Sequence, residues 1–268
     1  MGCGVEKENT QFSNLPNVVK TFGADKTEVI NFIIADTSYI RHEATNERIK
    51  KKTDKKRNKT YIKIQDGCDN FCTFCIVPHL RGRSKCRTIA EIVEEIRESD
   101  ANEIVITGIN LTAYSDGDKD LGDLCVEVGM LGIPFEISSL YINIITKEFI
   151  TKLKSCKNFV PNFHLSLQSA SNEILHKMNR KYTAEQFGQA VGLIRDAFPN
   201  ANISVDVIVG FPTETDEDFM QTCEFCKKMK FDHIHIFPYS KRDGTVAATM
   251  PQLHSQTIKN RADKLREL

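Results

Sequence analysis

Three cysteines within eight residues are the first feature that predicts chemistry. Cys68, Cys72 and Cys75 follow a C-x3-C-x2-C spacing inside the segment QDGCDNFCTFCIVPHLRGRSKCR (65–87). Thiolates are soft ligands that suit zinc or iron–sulfur clusters. A structural zinc site normally has four protein ligands, and Cys86 is a nearby candidate for the fourth. On an iron–sulfur cubane, the three cysteines would instead leave one iron open to an outside ligand.

Short β-branched runs from residue 60 onward predict the strands that carry this loop. Six of them alternate with helical patterns, and they cover residues 61–65, 103–107, 135–138, 163–167, 203–209 and 233–237. Such a series of βα units predicts an α/β fold with a parallel sheet, closed or nearly closed, in the form of a partial (β/α)6 TIM-like barrel. In such folds the chemistry lies at the carboxyl ends of the strands. The cysteine loop follows the first strand directly, so we expect it at that end.

Capping patterns and charge placement predict three helices between these strands, over residues 88–100, 183–198 and 215–230. Thr183 and Gln186 form a capping box at the start of the second helix. The third helix has acidic residues in its first turn and lysines in its last, as the helix dipole favours. These elements would position the loops at the strand ends.

Several longer segments resemble one enzyme family. The cysteine spacing, with Phe74 directly before the last cysteine, resembles the radical S-adenosylmethionine superfamily. Within it, the chain is similar to the methylthiotransferases over residues 61–268, through KIQDGCDNFCTFCIVPHLRGRSKCR, VITGINLTAY, HLSLQSASNEILHKMNRKYT, DVIVGFPTETDEDF and HIFPYSKRDGTVAATM. The resemblance implies a [4Fe-4S] cluster, S-adenosylmethionine and a 5′-deoxyadenosyl radical. TGINLTAY is similar to the branch that modifies N6-threonylcarbamoyladenosine at position 37 of tRNA.

The same resemblance implies roles for residues at the strand ends. The three cysteines of the loop would hold the cluster, whose open iron binds the amino and carboxylate groups of the cofactor. Residues that would contact the cofactor lie at or just after the ends of four strands, and they are Gly108, Asn110, Ser166, Gln168, Ser169, Gly210, Phe211, Pro212 and Phe237. Arg81, Arg83 and Arg87 beside the loop are candidate contacts for tRNA phosphates, with a solvated surface as the alternative.

The first 59 residues are interpreted through the same resemblance. Residues 1–49 are predicted to be a remnant of the family's N-terminal α/β domain, 50–59 a basic linker and 60–268 the radical core. Relatives bind a second cluster through three cysteines of the N-terminal domain, and Cys3 is similar to the third. Relatives also end in a small tRNA-binding β-barrel that would follow Leu268. The chain is therefore interpreted as truncated at both ends.

Two positions depart from the family pattern, and one cysteine pair has an alternative explanation. Tyr141 in SSLYIN stands where relatives usually have an acid, and Thr213 in GFPTET stands where glycine is usual. Cys223 and Cys226 form a C-x2-C pair that could bind metal. Their spacing with Phe219 along one helix face instead predicts buried, inert thiols.

Composition and charge limit the other function classes. The 268 residues include 36 basic and 36 acidic side chains, so a nucleic-acid surface has to be local. No apolar run approaches the ~18–20 residues of a membrane span, and no signal-peptide pattern is present, which predicts a cytoplasmic protein. Nine cysteines in a reducing compartment indicate metal or redox chemistry and not a disulfide framework.

The combined expectation is an enzyme that methylthiolates C2 of N6-threonylcarbamoyladenosine 37 in the tRNA anticodon loop. A donor such as flavodoxin or ferredoxin would supply electrons, and a second cofactor molecule would supply the methyl group. Three alternatives stay open at this point. They are a related enzyme acting on isopentenyladenosine, one acting on a ribosomal protein, and an inactive or zinc-binding remnant that uses Cys86.

Overall fold

The computed structural model describes residues 59–268, which contain the predicted α/β fold. Its strands are β1 (Lys59–Asp66), β2 (Lys85–Cys86), β3 (Glu103–Gly108), β4 (Ser115–Asp116), β5 (Lys119–Asp120), β6 (Phe135–Ile137), β7 (Asn162–Gln168), β8 (Asn202–Val209) and β9 (His233–Pro238). The six predicted strands are β1, β3, β6, β7, β8 and β9, each within two residues of its expected bounds. The predicted segment 1–49 and all but the last residue of 50–59 lie outside the described residues.

The six long strands run parallel in chain order. β1 pairs with β3 and β3 with β6, while β7, β8 and β9 form a second group. Leu140, just after β6, bridges Leu165 of β7 and joins the two groups into one arc. Between residues 59 and 268, β9 pairs only with β8 and β1 only with β2 and β3, so the barrel is partial, as predicted.

Eight α-helices lie between the strands or follow the last of them in this part of the chain. They are α1 (Val77–Arg81), α2 (Ile89–Glu98), α3 (Leu121–Gly129), α4 (Lys147–Ser155), α5 (Asn172–Lys177), α6 (Ala184–Ala197), α7 (Asp216–Met229) and α8 (Ser255–Arg266). The predicted helices correspond to α2, α6 and α7, which begin after the N-caps Thr88, Thr183 and Thr215, each in a capping box. None of the helices described is long and apolar enough to cross a bilayer.

Strand alternation separates an apolar core from a polar inner face. Every second residue of β8 is buried, while Asp206, between them, lies 2.7 Å from the ring nitrogen of His164 on β7. Polar side chains of neighbouring strands therefore meet on the face that the core does not use. Cys223 and Cys226 of α7 are buried in the core with Phe219, which confirms the prediction of buried thiols.

Candidate functional site

The cysteine loop leaves β1 through a turn that requires glycine. Gly67 has φ +73°, and a Cβ there would lie 2.1 Å from the carbonyl oxygen of Arg83. The Cys68 amide donates to the Gly82 carbonyl at 3.1 Å, which closes the loop. The hydroxyl of Thr73 donates to the last carbonyl of α5 at 2.8 Å. The three cysteines are therefore held at the carboxyl end of β1, next to α5.

The three thiols provide the donor set of an iron–sulfur cluster. Cys68 and Cys72 are buried, and Cys75 is partly exposed. As placed, no three His, Cys, Asp or Glu side chains of residues 59–268 converge on one metal position. The fit to a cluster therefore rests on the chemistry of three soft thiols in one short loop. Burial raises the pKa of the Cys68 thiol, and a bound metal would favour its thiolate.

Arg180, which the sequence analysis missed, lies against the second thiol. Its Nη1 is 3.5 Å from Cys72 Sγ, its Nε donates to the Tyr182 hydroxyl at 3.0 Å, and its Nη2 donates to the Ser166 carbonyl at 2.9 Å. The residue is only 7% exposed, and none of these three acceptors is a carboxylate. Burial opposes the charge of Arg180, but the neighbouring phenols and thiol raise its pKa. A buried cation that has no carboxylate among its acceptors favours an anionic ligand.

Asn110 lines the same cavity with an unused acceptor. A cavity of about 220 Å³ is bounded by Cys72, Asn110, Thr112, Tyr141 and Arg180, among others. Asn110 is 4% exposed, and within the described residues its Oδ1 has no hydrogen-bond partner. A buried acceptor without a donor is costly unless a ligand supplies one. The cavity bounded by the second cysteine is therefore lined by both a cation and an unpaired hydrogen-bond acceptor.

Gln65 at the end of β1 fixes the position of Asn110. The sequence patterns did not predict Gln65 as a site residue. Its Oε1 accepts from the amides of Ile109 and Asn110 at 3.0 and 2.8 Å, and its Nε2 donates to the Gly67 carbonyl at 2.8 Å. Gly108 allows this approach, because a Cβ there would lie 3.2 Å from the Gln65 side chain and 2.8 Å from a neighbouring leucine. One side chain thus connects the cysteine loop to the end of β3.

A second cavity, of about 330 Å³, is bounded by Phe74, Gln168, Asp206, Phe237 and Arg242, among others. The predicted residues Gln168 and Phe237 both line it, and Gln168 has φ +64° at the end of β7. Asp206 was not predicted as a site residue. The sequence signal for it is its inward position two residues after Ser204 on β8. Aromatic rings beside an amide and a carboxylate suit a nucleoside, because the rings can contact the base while the polar groups bind hydroxyls.

The turn after β8 packs against the cysteine loop. Gly210 has φ +72°, and a Cβ there would lie 2.6 Å from the Ile258 side chain of α8. Phe211 is fully buried, and its ring meets that of Phe74 edge-on at 6.4 Å between centroids. Pro212 is buried as well. This turn therefore packs against Phe74 of the cysteine loop through the Phe211 ring.

The two predicted serines have partners inside the protein. The Ser166 hydroxyl shares a hydrogen bond of 2.9 Å with Ser139. The Ser169 hydroxyl lies 3.3 Å from the Thr222 hydroxyl and accepts from the Ser171 amide at 3.2 Å. Ser169 is 1% exposed, so it connects the end of β7 to α7. Neither serine is among the residues that bound the two cavities.

The three predicted arginines differ in their surroundings. Arg81 lies 3.9 Å from Asp66. The Arg83 side chain is 73% exposed, pairs with Asp69 at 3.0 Å and lies over the Phe71 ring at 4.9 Å. Arg87 pairs with Glu95 and donates to a carbonyl of β1 at 3.0 Å. Their contact with tRNA stays a prediction, for which Arg83 is the most accessible.

The two departures from the family pattern have local structural consequences. The Tyr141 hydroxyl is 3.8 Å from Cys72 Sγ, and the Arg180 guanidinium lies 4.0 Å from the centre of its ring. Thr213 has φ +67°, a left-handed conformation that accounts for the glycine of related sequences. Cys86, the alternative zinc ligand, donates to the Ala113 carbonyl at 3.6 Å. Cys3 lies outside the described residues.

The parallel strands and the three-cysteine loop at their carboxyl end define a radical enzyme of the S-adenosylmethionine-dependent class. The family model of the Radical SAM superfamily matches residues 62–226, and the chain belongs to this superfamily. Its members use a [4Fe-4S] cluster and S-adenosylmethionine. The prediction of superfamily and fold is thereby confirmed.

Curated relatives narrow the similarity further. The chain is 35% identical to the threonylcarbamoyladenosine tRNA methylthiotransferase MtaB of Bacillus subtilis (strain 168), over 97% of this chain and 61% of the relative. It is 40% identical to MtaB of Aquifex aeolicus (strain VF5), over 78% of this chain and 52% of the relative. It is 38% identical to the tRNA-2-methylthio-N(6)-dimethylallyladenosine synthase of Thermoanaerobacter sp. (strain X514), over 78% and 46%. The chain thus spans about half to three fifths of these relatives.

Solved structures share the fold at low sequence identity. Coproporphyrinogen III oxidase (HemN) of Escherichia coli, a radical SAM enzyme, matches with a TM-score of 0.58 and 14% identity, over 78% of this chain and 51% of that one. The radical S-adenosylmethionine methyltransferase TsrM of Kitasatospora setae matches with a TM-score of 0.58 and 16% identity, over 71% and 38%. These likenesses concern the fold alone.

Proposed function

We propose that residues 59–268 are the radical-generating core of a tRNA methylthiotransferase acting on N6-threonylcarbamoyladenosine at position 37 of the anticodon loop. Cys68, Cys72 and Cys75 would hold a [4Fe-4S] cluster, which together with S-adenosylmethionine supplies a 5′-deoxyadenosyl radical. The choice of nucleoside rests on the TGINLTAY segment (107–114) and on the relatives named for that nucleoside.

The arrangement of Arg180 and Asn110 around Cys72 carries this proposal. The guanidinium can bind a carboxylate through its remaining N–H groups, and the unpartnered Oδ1 of Asn110 can accept from an ammonium group. Together they suit the α-amino-acid end of S-adenosylmethionine. Because both groups lie in the cavity bounded by Cys72, that end of the cofactor would lie beside the cluster.

The second cavity supports binding of the nucleoside end. Gln168 and Asp206 can hydrogen-bond ribose hydroxyls, while Phe237 offers a ring face to the base. Phe74 belongs to the cysteine loop and also lines this cavity, so the two binding regions are adjacent. In this proposal the hydrogen at C2 of the target adenine is replaced by a methylthio group.

Further parts of the proposal concern residues and partners beyond the two cavities. In this proposal the sulfur comes from a second cluster, for which Cys3 is a candidate for one of three ligands. The electron donor, of the flavodoxin or ferredoxin type, and the cytoplasmic location stay predictions. The exposed Arg83 beside the loop is the proposed contact for a tRNA phosphate.

Anaerobic reconstitution with iron and sulfide tests the radical core. With dithionite and S-adenosylmethionine, the native chain and Cys86→Ala should form 5′-deoxyadenosine, whereas Cys72→Ala should form none. Cys86→Ala is the matched control, because the hydrogen bonds of this thiol go to the Ala113 carbonyl and the Ser115 amide and not to the cysteine loop. Bound zinc that is lost in Cys86→Ala would contradict the proposal, and so would a loaded cluster that yields no product.

The nucleoside is tested in the same reaction with tRNA deuterated at C2 of adenine 37. Deuterium transfer into 5′-deoxyadenosine from tRNA carrying N6-threonylcarbamoyladenosine, and not from tRNA carrying isopentenyladenosine, supports the proposed branch. The reverse preference would assign the chain to the other branch.

A further inference from the structure

The sulfur of Cys72 lies within hydrogen-bonding distance of two side chains that come from different parts of the fold. Nη1 of Arg180, just after α5, lies 3.5 Å from its sulfur. The hydroxyl of Tyr141, just after β6, lies 3.8 Å from the same atom. Both distances are within the range for sulfur, whose larger radius lengthens its hydrogen bonds. The second thiol of the loop is therefore more polarised than a cysteine in an apolar site.

The position of Tyr141 is fixed by contacts other than the thiol. Its amide donates to the Thr112 hydroxyl at 3.1 Å, and its ring lies 4.0 Å below the Arg180 guanidinium. A phenol hydroxyl can donate a hydrogen bond, whereas a metal-bound thiolate can only accept one, so Tyr141 would be the donor toward a ligating Cys72.

Hydrogen bonds to the cysteine sulfurs of an iron–sulfur cluster withdraw electron density and stabilise its reduced state. We propose that Tyr141 tunes the cluster through Cys72: its hydroxyl donates to the ligating sulfur and raises the reduction potential. This inference rests on the cluster of the proposed function. The electron itself comes from the external donor of the flavodoxin or ferredoxin class, and Tyr141 neither gains nor loses a proton.

Tyr141→Phe isolates this effect, because it removes one hydroxyl and keeps the ring under Arg180. The matched control is Tyr114→Phe, which removes a buried hydroxyl that donates to the Arg87 carbonyl at 2.8 Å. Reconstituted samples of equal iron content would be titrated electrochemically, with the reduced cluster followed by electron paramagnetic resonance. We expect the reduction equilibrium of Tyr141→Phe to shift about tenfold against the reduced state. This corresponds to a reduction potential lower by about 59 mV for a one-electron step.

Tyr114→Phe should keep the native potential, and Tyr141→Gln should restore part of it, because the amide also donates. Rescue by a second donor distinguishes hydrogen bonding from a packing role. If Tyr141→Phe assembles the cluster and keeps the native reduction potential, this inference is overturned and the proposed function stays intact. A native chain that assembles no cluster would overturn both.

Discussion

Glu214, in the turn after β8, and Arg261, on α8, form a buried ion pair with 2.7 Å between Oε2 and Nη1. Their side chains are 2% and 7% exposed. The same Glu214 oxygen accepts from the Gly210 amide at 2.8 Å, so the pair ties α8 to the turn that supports the cysteine loop. Burial raises the pKa of Glu214, although Gly210 and Arg261 oppose this.

Removing one partner of this pair should be much more costly than removing both. Arg261→Met leaves a buried carboxylate without its cation and should lower the free energy of unfolding by about 3–5 kcal/mol. The double variant Glu214→Gln with Arg261→Met should recover part of this loss. Urea denaturation measures each value. Arg266→Met on the exposed side of α8 is the control, and an equal loss there would contradict a specific role for the pair.

Asp218 of α7 should contribute a pH-dependent stability. Burial opposes its ionisation, but hydrogen bonds from Ser171 and Thr215 outweigh this and lower its pKa from 3.8. Because the folded-state pKa is the lower one, the stabilisation is present above pH 3.8 and is lost as the pH falls through the folded value.

Asp218→Asn should therefore be less stable than the native chain by about 1.5–3 kcal/mol at neutral pH. The difference should shrink when the pH falls below 3.8. Urea denaturation between neutral and acidic pH gives both curves, and Asp263→Asn, at an exposed position, is the control. A difference that does not change with pH would show that the carboxylate's charge is not involved.

Gln65→Leu should lower both the stability of the protein and its affinity for the cofactor, although the two side chains are similar in size. The change leaves the part-buried amide of Ile109 and the buried amide of Asn110 without an acceptor, and the buried amide alone costs about 1–3 kcal/mol. It should also weaken cofactor binding, because Asn110 loses its anchor. Denaturation measures the loss of stability, and calorimetry measures the affinity for the cofactor. The exposed Gln256→Leu is the control, and native cofactor affinity in Gln65→Leu would exclude a positioning role.

Replacing Arg83 should affect tRNA binding, whereas replacing Arg87 should affect the stability of the protein. Arg83→Ala removes an exposed cation and should reduce the salt dependence of tRNA binding by about one phosphate contact, with native stability. Arg87→Ala should instead lower stability by about 1 kcal/mol, since Arg87 bonds a β1 carbonyl and Glu95. Filter binding at several salt concentrations measures the first effect, with Arg97→Ala as the control on α2. Native affinity of Arg83→Ala at every salt concentration would remove it from the interface.

The amino-acid sequence alone determined the features that depend on local pattern. The cysteine spacing predicted the cluster loop, β-branched runs predicted the six long strands, and Thr183 with Gln186 predicted a helix start that the structure confirms. These features are readable because each depends on residues within a few positions of one another. The resemblance to the superfamily rested on the same short segments.

The tertiary structure decided which side chains surround those thiols. Arg180 reaches Cys72 across 108 residues of sequence, and Gln65 reaches Asn110 across 45. It also placed Ser169 and Phe211 in internal contacts, although both follow strands that carry site residues. No local pattern encodes these contacts, because they exist only once parallel strands have brought distant loops to the same end of the sheet.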